Sequence, residues 1–124
     1  MEKILVVDDE ADILKLISEN LQIRGYDVSQ AKNGSEALDQ LHISQPSLMV
    51  LDIKLPDFTG WELLDRIKAD PQITAEFPVL IMTASITESA INLKTYPSVV
   101  EILIKPFSAA KLVSAVKLSI SHRN

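Results

Sequence analysis

The stretch Ile4–Glu10, with the sequence ILVVDDE, decides the fold because a short apolar run ends abruptly in three acidic residues. A continuous apolar run of this length is typical of a strand that is buried on both faces of a parallel sheet. The next segment, Ala11–Arg24, carries apolar residues at helical spacing and stops at Gly25. The sequence therefore predicts a strand that leads directly into a helix, with an acidic cluster at the junction.

The same strand-and-helix unit occurs five times along the chain. The second strand alternates polar and apolar residues, as expected of an edge strand. The predicted strands are Ile4–Val7, Tyr26–Ala31, Leu48–Leu51, Val79–Met82 and Val99–Ile104, and the later helices are predicted to start at Asn33, Thr59, Ser85 (ending near Lys94) and Ser108. We therefore predict an α/β fold, a doubly wound five-stranded parallel sheet of order 2-1-3-4-5, in one domain spanning residues 1–124.

Composition and charge narrow the class of protein. The 124 residues are 47% hydrophobic and 23% charged, which suits a globular domain, and the net charge of −5 comes without a basic run for nucleic acid. The absence of cysteine excludes disulfides and thiolate metal sites. No apolar stretch approaches the roughly 20 residues of a membrane span, and no signal-peptide pattern follows Met1. We expect a cytoplasmic protein, as a stand-alone chain or an amino-terminal fragment, without membrane insertion or direct nucleic-acid binding.

Polar side chains fall where the apolar strands end. Asp8 and Asp9 follow the first strand, Asp52 the third, Thr83 the fourth and Lys105 the fifth. Because the carboxyl ends of parallel strands share one edge of the sheet, these residues are expected to meet there. The first and third strands also flank the topological switch point, where such sheets bind ligands.

The charges at this edge predict a metal and a phosphoryl group. Three neighbouring carboxylates raise one another's pKa values unless a cation lies among them. Oxygen ligands favour Mg²⁺, Mn²⁺ or Ca²⁺. A site that offers only a few protein ligands and leaves coordination positions open for water and phosphoryl oxygens suits Mg²⁺, for which Mn²⁺ can substitute. The Lys105 ammonium and the Thr83 hydroxyl then complete a site for phosphoryl oxygens. Asp8 and Asp9 are the predicted metal ligands because they are paired.

Asp52 is the predicted nucleophile because it stands alone at the end of the central strand. Carboxylates can form aspartyl phosphates once the charges of both reactants are neutralised. The loop that follows can offer a backbone carbonyl to the metal, and Lys54 is the predicted donor. Simpler roles are open to some residues, since Asp9 could cap the next helix. Asp57 is expected to be a turn residue, and Trp61 to serve packing.

Four motifs together resemble the receiver domain of two-component response regulators, from Lys3 to about Ser121. They are VVDDE (Val6–Glu10), LDIKLPDFTG (Leu51–Gly60), IMTAS (Ile81–Ser85) and IKPF (Ile104–Phe107). The resemblance implies that Asp52 accepts a phosphoryl group from the phosphohistidine of a histidine kinase or phosphotransfer protein. It implies that Mg²⁺ is bound by Asp8, Asp9, Asp52 and the Lys54 carbonyl. It also implies that Thr83 and Lys105 contact the phosphoryl group and that the Lys105–Pro106 peptide is cis. Such a domain catalyses only its own phosphorylation and dephosphorylation.

The chain departs from this family pattern near the fifth strand. Ile102 stands where the family usually has an aromatic residue, and Ser98–Val100 replaces a common Gly-Ala pair. We therefore expect the phosphorylation chemistry to be intact. We also expect the face formed by the fourth helix, the fifth strand and the fifth helix to be more apolar than is usual in the family, and to bind a downstream protein or a second copy of the chain.

Three other functions remain open on the sequence alone. The first is a docking module that works without phosphorylation, which the missing aromatic residue keeps in play. The second is a Mg²⁺-dependent phosphatase with an aspartyl nucleophile, disfavoured because Lys54 stands where such enzymes place a second acid. The third is a flavin or nucleotide module, disfavoured because Asp8–Glu10 would repel a phosphate in the absence of metal.

Overall fold

The computed structural model, which describes residues 2–74, 76–85 and 95–121, contains one five-stranded parallel sheet. Its strands are Lys3–Val7 (β1), Asp27–Ala31 (β2), Leu48–Asp52 (β3), Val79–Thr83 (β4) and Val99–Ile104 (β5). The strand order β2-β1-β3-β4-β5 confirms the prediction. Helices within the described ranges are Ala11–Ile23 (α1), Gly34–Ile43 (α2), Gly60–Ala69 (α3) and Ala109–Ser121 (α4). The helix predicted between Ser85 and Lys94 lies in residues 86–94, outside those ranges.

Two apolar cores cover the two faces of the sheet, because successive side chains of a strand point to opposite sides. The apolar runs Leu48–Leu51 and Val79–Met82 are buried throughout, as predicted, and the polar residues that end β3 and β4, Asp52 and Thr83, are buried as well. One core joins the sheet to α2 and α3 through Leu5, Val7, Leu41, Met49, Leu51, Leu63 and Ile81. The other joins it to α1 and α4 through Ile4, Val6, Leu14, Ile17, Val50, Leu80, Leu112 and Val116. None of the helices in the described residues is long and apolar enough to cross a bilayer.

Three helices begin at the capping residues that the sequence indicated. Asn33 Oδ1 accepts a hydrogen bond from the Glu36 backbone N–H at 2.8 Å at the start of α2. Thr59 Oγ1 accepts from the Glu62 N–H at 3.1 Å in α3. In α4, Ser108 Oγ accepts from the Lys111 N–H at 3.1 Å. Each bond satisfies a donor that has no partner within its own helix, so the helix boundaries follow from local sequence.

An aromatic pair ties α3 to the segment that precedes β5. The rings of Trp61 and Tyr96 stack with centroids 5.1 Å apart and planes 25° apart. The Tyr96 hydroxyl donates to Asp65 Oδ1 at 2.9 Å. Trp61 Nε1 is buried and has no hydrogen-bond partner among the residues that the structure describes. Trp61, Tyr96 and Ile102 all pack against the core on the α2 and α3 side. The expectation that Trp61 serves packing agrees with this contact.

We expect Tyr96→Phe to lower the free energy of unfolding by about 0.5–1.5 kcal/mol, because it keeps the ring stack and loses the bond to a carboxylate. Urea denaturation measures this change. Asp65→Ala, which removes the acceptor, should cost a similar amount. The double variant should cost little more than either single one, since both substitutions remove the same bond. A Tyr96→Phe variant as stable as the native chain would show that the hydroxyl contact contributes nothing.

Candidate functional site

The carboxyl ends of β1, β3, β4 and β5 open onto one cleft of about 350 Å³. Parallel pairing brings these ends together although they are far apart in the sequence. Its lining includes five residues that the sequence singled out, namely Asp9, Asp52, Lys54, Thr83 and Lys105. It also includes Glu10, Ile53, Ala84 and Ser85. The cleft therefore lies at the edge of the sheet where the sequence placed a site.

The Lys105 ammonium joins three acidic side chains at the centre of the cleft. Lys105 Nζ lies 2.9 Å from Asp8 Oδ2, 3.0 Å from Asp52 Oδ2 and 3.5 Å from Glu10 Oε1. Asp8 is fully buried, and Asp52 is 6% exposed. These contacts connect the ends of β1, β3 and β5, so the predicted meeting of Asp8, Asp52 and Lys105 occurs in the structure.

Four carboxylates crowd around this single ammonium. Oxygen atoms of Asp8, Asp9, Glu10 and Asp52 all lie within 4.8 Å of one another. Four negative charges against one positive charge leave the cluster short of cations. Hard divalent cations bind carboxylate oxygens, and Mg²⁺ accepts a small number of them together with water and phosphoryl oxygens. The donor chemistry therefore fits Mg²⁺.

The pKa values of Asp8 and Lys105, the innermost ion pair, are both raised. Burial raises the pKa of Asp8, and this effect outweighs the lowering by the Glu10 N–H, which donates to Asp8 Oδ1 at 2.9 Å, and by Lys105. Burial alone would lower the pKa of Lys105, but the bonds to Asp8 and Asp52 outweigh it, and the pKa is raised. Lys105 therefore stays charged at neutral pH, whereas the ionised form of Asp8 is costly even beside Lys105, so a further cation would stabilise it.

Thr83 lies in the same cleft, but its hydroxyl is engaged with the next loop. Thr83 Oγ1 donates to the Ser85 carbonyl oxygen at 3.1 Å and accepts from the Ser85 N–H at 3.1 Å. The Lys105 N–H donates to the Thr83 carbonyl oxygen at 2.8 Å, which fixes the end of β4 against β5. The hydroxyl proton would have to leave Ser85 before it could reach a ligand in the cleft.

The loop after Asp52 is held closed at its base. The Gly60 N–H donates to the Ile53 carbonyl oxygen at 2.7 Å, and the Lys54 N–H donates to Asp52 Oδ1 at 3.2 Å. The backbone of Gly60 lies so close that an added Cβ would be 2.8 Å from the Asp52 carbonyl oxygen. Position 60 has room only for glycine, and the bond from the Lys54 N–H keeps Lys54 beside Asp52.

Gly60→Ala is expected to lower the free energy of unfolding by about 2 kcal/mol, because the new methyl group meets backbone atoms that cannot rotate away. Gly25→Asn is the control, since a Cβ at Gly25 meets nothing within 4 Å and its φ of +90° is a conformation that Asn tolerates better than most residues. Chemical denaturation of both variants checks this. Native stability in Gly60→Ala would contradict the contact described.

A family model described as the response regulator receiver domain matches residues 4–117. The chain belongs to this family. Among curated relatives of the receiver domain, the alkaline phosphatase synthesis transcriptional regulatory protein PhoP of Bacillus subtilis is 38% identical over 116 residues, which are 94% of this chain and 47% of that protein. The probable transcriptional regulator ycf27 of Guillardia theta is 30% identical over 125 residues, 99% of this chain and 47% of that protein. The chain thus spans about half the length of the curated relatives it matches.

Solved structures agree with the receiver fold. The chemotaxis protein CheY4 of Vibrio cholerae superposes with a TM-score of 0.86 at 28% identity, covering 96% of this chain and 98% of that chain. A CheY-like receiver domain protein of Methanospirillum hungatei gives 0.85 at 28% identity, covering 99% and 96%. NtrX of Brucella abortus gives 0.86 at 30% identity, covering 98% of this chain and 27% of its own. The chain is therefore a response regulator receiver domain of a two-component system.

Local features of the cleft and of β5 can be set beside the family pattern. Receiver domains bind Mg²⁺ at an acidic pocket, and the carboxylates around Asp52 form a cluster that could hold a metal ion. The Lys105–Pro106 peptide is cis, as the resemblance implied. Ile102, at the usual aromatic position, is half-buried against the core. The face expected to be apolar includes residues 86–94, so that expectation falls partly outside the part of the chain described.

Two residues of this region have contacts that the sequence did not indicate. Glu10 stood out only as part of an acidic run, yet its carboxylate joins the cluster and contacts Lys105; its position next to the acidic pair was the available signal. Asp57 was expected to be a simple turn residue, yet it accepts hydrogen bonds from the Gly34 and Ser35 N–H groups. No local pattern indicates that second contact, because the partners lie 23 and 22 residues away.

Proposed function

We propose that this receiver domain accepts one phosphoryl group on the Asp52 carboxylate from the phosphohistidine of a histidine kinase or phosphotransfer protein, in a Mg²⁺-dependent step. One observation carries the proposal. Asp8 and Asp52 share the Lys105 ammonium at 2.9 and 3.0 Å inside a cluster of four carboxylates. A nucleophilic carboxylate, a fixed cation and acidic ligands for a metal are the parts that aspartyl phosphorylation needs.

Each residue of the cleft has a role in this step. A carboxylate oxygen of Asp52 forms the new O–P bond while the N–P bond of the phosphohistidine breaks, and the imidazole leaves with a proton from solvent. Lys105 neutralises charge on the phosphoryl oxygens. Asp8, Asp9, Asp52 and the Lys54 carbonyl would hold Mg²⁺, with Mn²⁺ as a substitute. Bound there, the ion supplies the additional positive charge that phosphoryl transfer to a carboxylate requires.

Phosphorylation would also compete for the Thr83 hydroxyl. In this conformation the Thr83 hydroxyl donates its hydrogen bond to the Ser85 carbonyl oxygen. A phosphoryl oxygen on Asp52 is a stronger acceptor because it is charged. Turning Thr83 toward it removes a contact to the loop after β4, which shifts the population of conformations that a partner recognises. The domain then acts as a cytoplasmic switch for a downstream protein or a second copy, and it turns over no external substrate.

The test is incubation of the chain with a small-molecule phosphodonor, with and without Mg²⁺, followed by intact mass and Trp61 fluorescence. We expect the addition of one phosphoryl group only when Mg²⁺ is present. Steady release of phosphate from varied monoesters would instead indicate the phosphatase. A folded chain that gains no phosphoryl group under any condition would favour the docking module that works without phosphorylation.

A further inference from the structure

Asp57 caps a helix that lies in another part of the chain. The first N–H groups of a helix lack partners within it, and Asn33 satisfies only that of Glu36 in α2. Asp57 Oδ1 accepts from the Gly34 N–H at 2.9 Å, and Asp57 Oδ2 accepts from the Ser35 N–H at 2.9 Å. Both carboxylate oxygens of a residue in the loop after β3 are therefore committed to the N-terminus of α2.

The residue after Asp57 packs on the same helix end. A Cβ added at Gly34 would collide with the ring of Phe58, so the ring lies directly against the Gly34 backbone. Arg66 belongs to α3, and its guanidinium carbon lies 4.0 Å from the centroid of the Phe58 ring. Phe58 is thus held between α2 and α3. The tip of the loop is fixed by an apolar contact beside the two hydrogen bonds.

Electrostatics strengthen the attachment of Asp57. A helix N-terminus carries a partial positive charge, which favours a carboxylate. Burial alone would raise the pKa of Asp57, but the N–H groups of Gly34, Ser35 and Phe58 outweigh it, and the pKa is lowered. The ionised carboxylate is therefore the form that the folded chain prefers at neutral pH.

This loop connects the attachment to the site. It leaves the sheet at Asp52 and returns at Gly60, with its base closed by the bond from the Gly60 N–H to the Ile53 carbonyl oxygen. Lys54 lies between that base and the tip at Asp57 and Phe58. Between Lys54 and the tip, Leu55 packs against the core and Pro56 has a fixed φ. The anchor at the tip adds a further restriction on the peptide planes of this segment.

We propose that Asp57 is a positioning residue for metal binding, because it anchors the loop to α2 and thereby holds the Lys54 backbone carbonyl in place. The inference rests on the proposed function, in which that carbonyl is a metal ligand. Groups that orient a ligand without touching the metal commonly change metal affinity by about tenfold or more when they are removed. Asp57 has the contacts of such a group.

The test compares Mg²⁺ affinity and amide exchange in three variants of the whole chain. Calorimetry at about 0.15 M salt, where exposed charges are screened, gives the Mg²⁺ dissociation constant, and hydrogen exchange without metal reports the Gly34 and Ser35 amides. Asp57→Ala should weaken Mg²⁺ binding about tenfold and expose both amides to exchange. Asp57→Asn removes the same charge but keeps one acceptor oxygen, so its affinity should lie between Asp57→Ala and the native chain. Asp39→Ala, on the exposed surface of α2, should change neither readout.

Each outcome separates this inference from the proposed function. Exposure of the Gly34 and Ser35 amides in Asp57→Ala with native Mg²⁺ affinity would overturn the positioning role and leave only a helix cap. Equal weakening in Asp57→Ala, Asp57→Asn and Asp39→Ala would also overturn it, because charge alone would then explain the effect. If Asp57→Ala does not fold, native affinity in Asp57→Asn with an exposed Ser35 amide would likewise overturn the positioning role. No Mg²⁺ binding by the native chain would instead reject the proposed function.

Discussion

Asp52→Asn is expected to abolish phosphoryl incorporation from a small phosphodonor, a loss of about 10³-fold or more, because the carboxylate nucleophile is removed. In the native chain the Lys54 N–H donates to Asp52 Oδ1 at 3.2 Å, and the amide oxygen of the variant can still accept this bond. The ion pair with Lys105 is lost. Intact mass after incubation with Mg²⁺ measures the incorporation. Asp39→Asn, an equal charge change at an exposed position of α2, should incorporate one phosphoryl group at the native rate.

The fold of Asp52→Asn should survive. The substitution removes one negative charge from a cluster in which four carboxylates face one ammonium, so repulsion in the metal-free chain decreases. Circular dichroism and urea denaturation check that loss of incorporation does not come from unfolding. Continued incorporation in folded Asp52→Asn would show that another side chain accepts the phosphoryl group.

Lys105→Met is expected to lower the free energy of unfolding of the metal-free chain by about 2–3 kcal/mol, because it leaves buried carboxylates without their counterion. Asp8 is fully buried and Asp52 nearly so, and Lys105 Nζ is within 3.0 Å of both. Saturating Mg²⁺ should restore about 1–2 kcal/mol, since the ion binds the folded chain and supplies positive charge. The rate of phosphoryl incorporation should fall about 10²-fold even with Mg²⁺.

Urea denaturation with and without Mg²⁺ gives the stability of Lys105→Met. Lys54→Met is the matched control, because Lys54 also lines the cleft but its side chain is exposed. Its metal-free stability should stay within about 0.5 kcal/mol of the native value. Equal stability losses in the two variants, with no restoration by Mg²⁺ in Lys105→Met, would mean that Lys105 does not neutralise this cluster.

The arrangement of the sheet could be predicted because its two signals, the spacing of apolar residues and the polar residues at the strand ends, are both contained in short stretches of the sequence. The uninterrupted run Leu48–Leu51 indicated a central strand, and the alternation in Tyr26–Ala31 indicated an edge strand. A parallel sheet then forces the residues after different strands onto one edge. This rule alone predicted that Asp8, Asp52 and Lys105 lie close together although they are far apart in the sequence, and it needed no knowledge of side-chain contacts.

Contacts that depend on how loops pack could not be predicted in this way. The cap that Asp57 provides for α2 joins segments about twenty residues apart, and neither segment carries a pattern that names the other. The stack of Trp61 on Tyr96 likewise depends on how α3 meets the segment before β5. The engagement of the Thr83 hydroxyl with Ser85 is a property of one conformation, whereas the sequence indicates only that a hydroxyl lies at the strand end.

The departure at Ile102 acquires a physical context in the structure. Ile102 is half-buried in the same core as Trp61 and Tyr96, so aromatic side chains are present near β5 although the usual position lacks one. Asp65 fixes the Tyr96 hydroxyl at 2.9 Å, which holds this aromatic pair in one arrangement. A route from the cleft to a partner surface that relies on an aromatic residue at position 102 is therefore not available to this chain.

A crystal structure of the chain with Mg²⁺ and beryllofluoride tests the central claim most directly. We expect beryllium bonded to one carboxylate oxygen of Asp52 and the Lys105 ammonium against a fluoride. We expect the metal to be bound by Asp8, Asp9, the other carboxylate oxygen of Asp52 and the Lys54 carbonyl. A metal held away from Asp52, or beryllofluoride absent from Asp52 when Mg²⁺ is bound, would contradict the account.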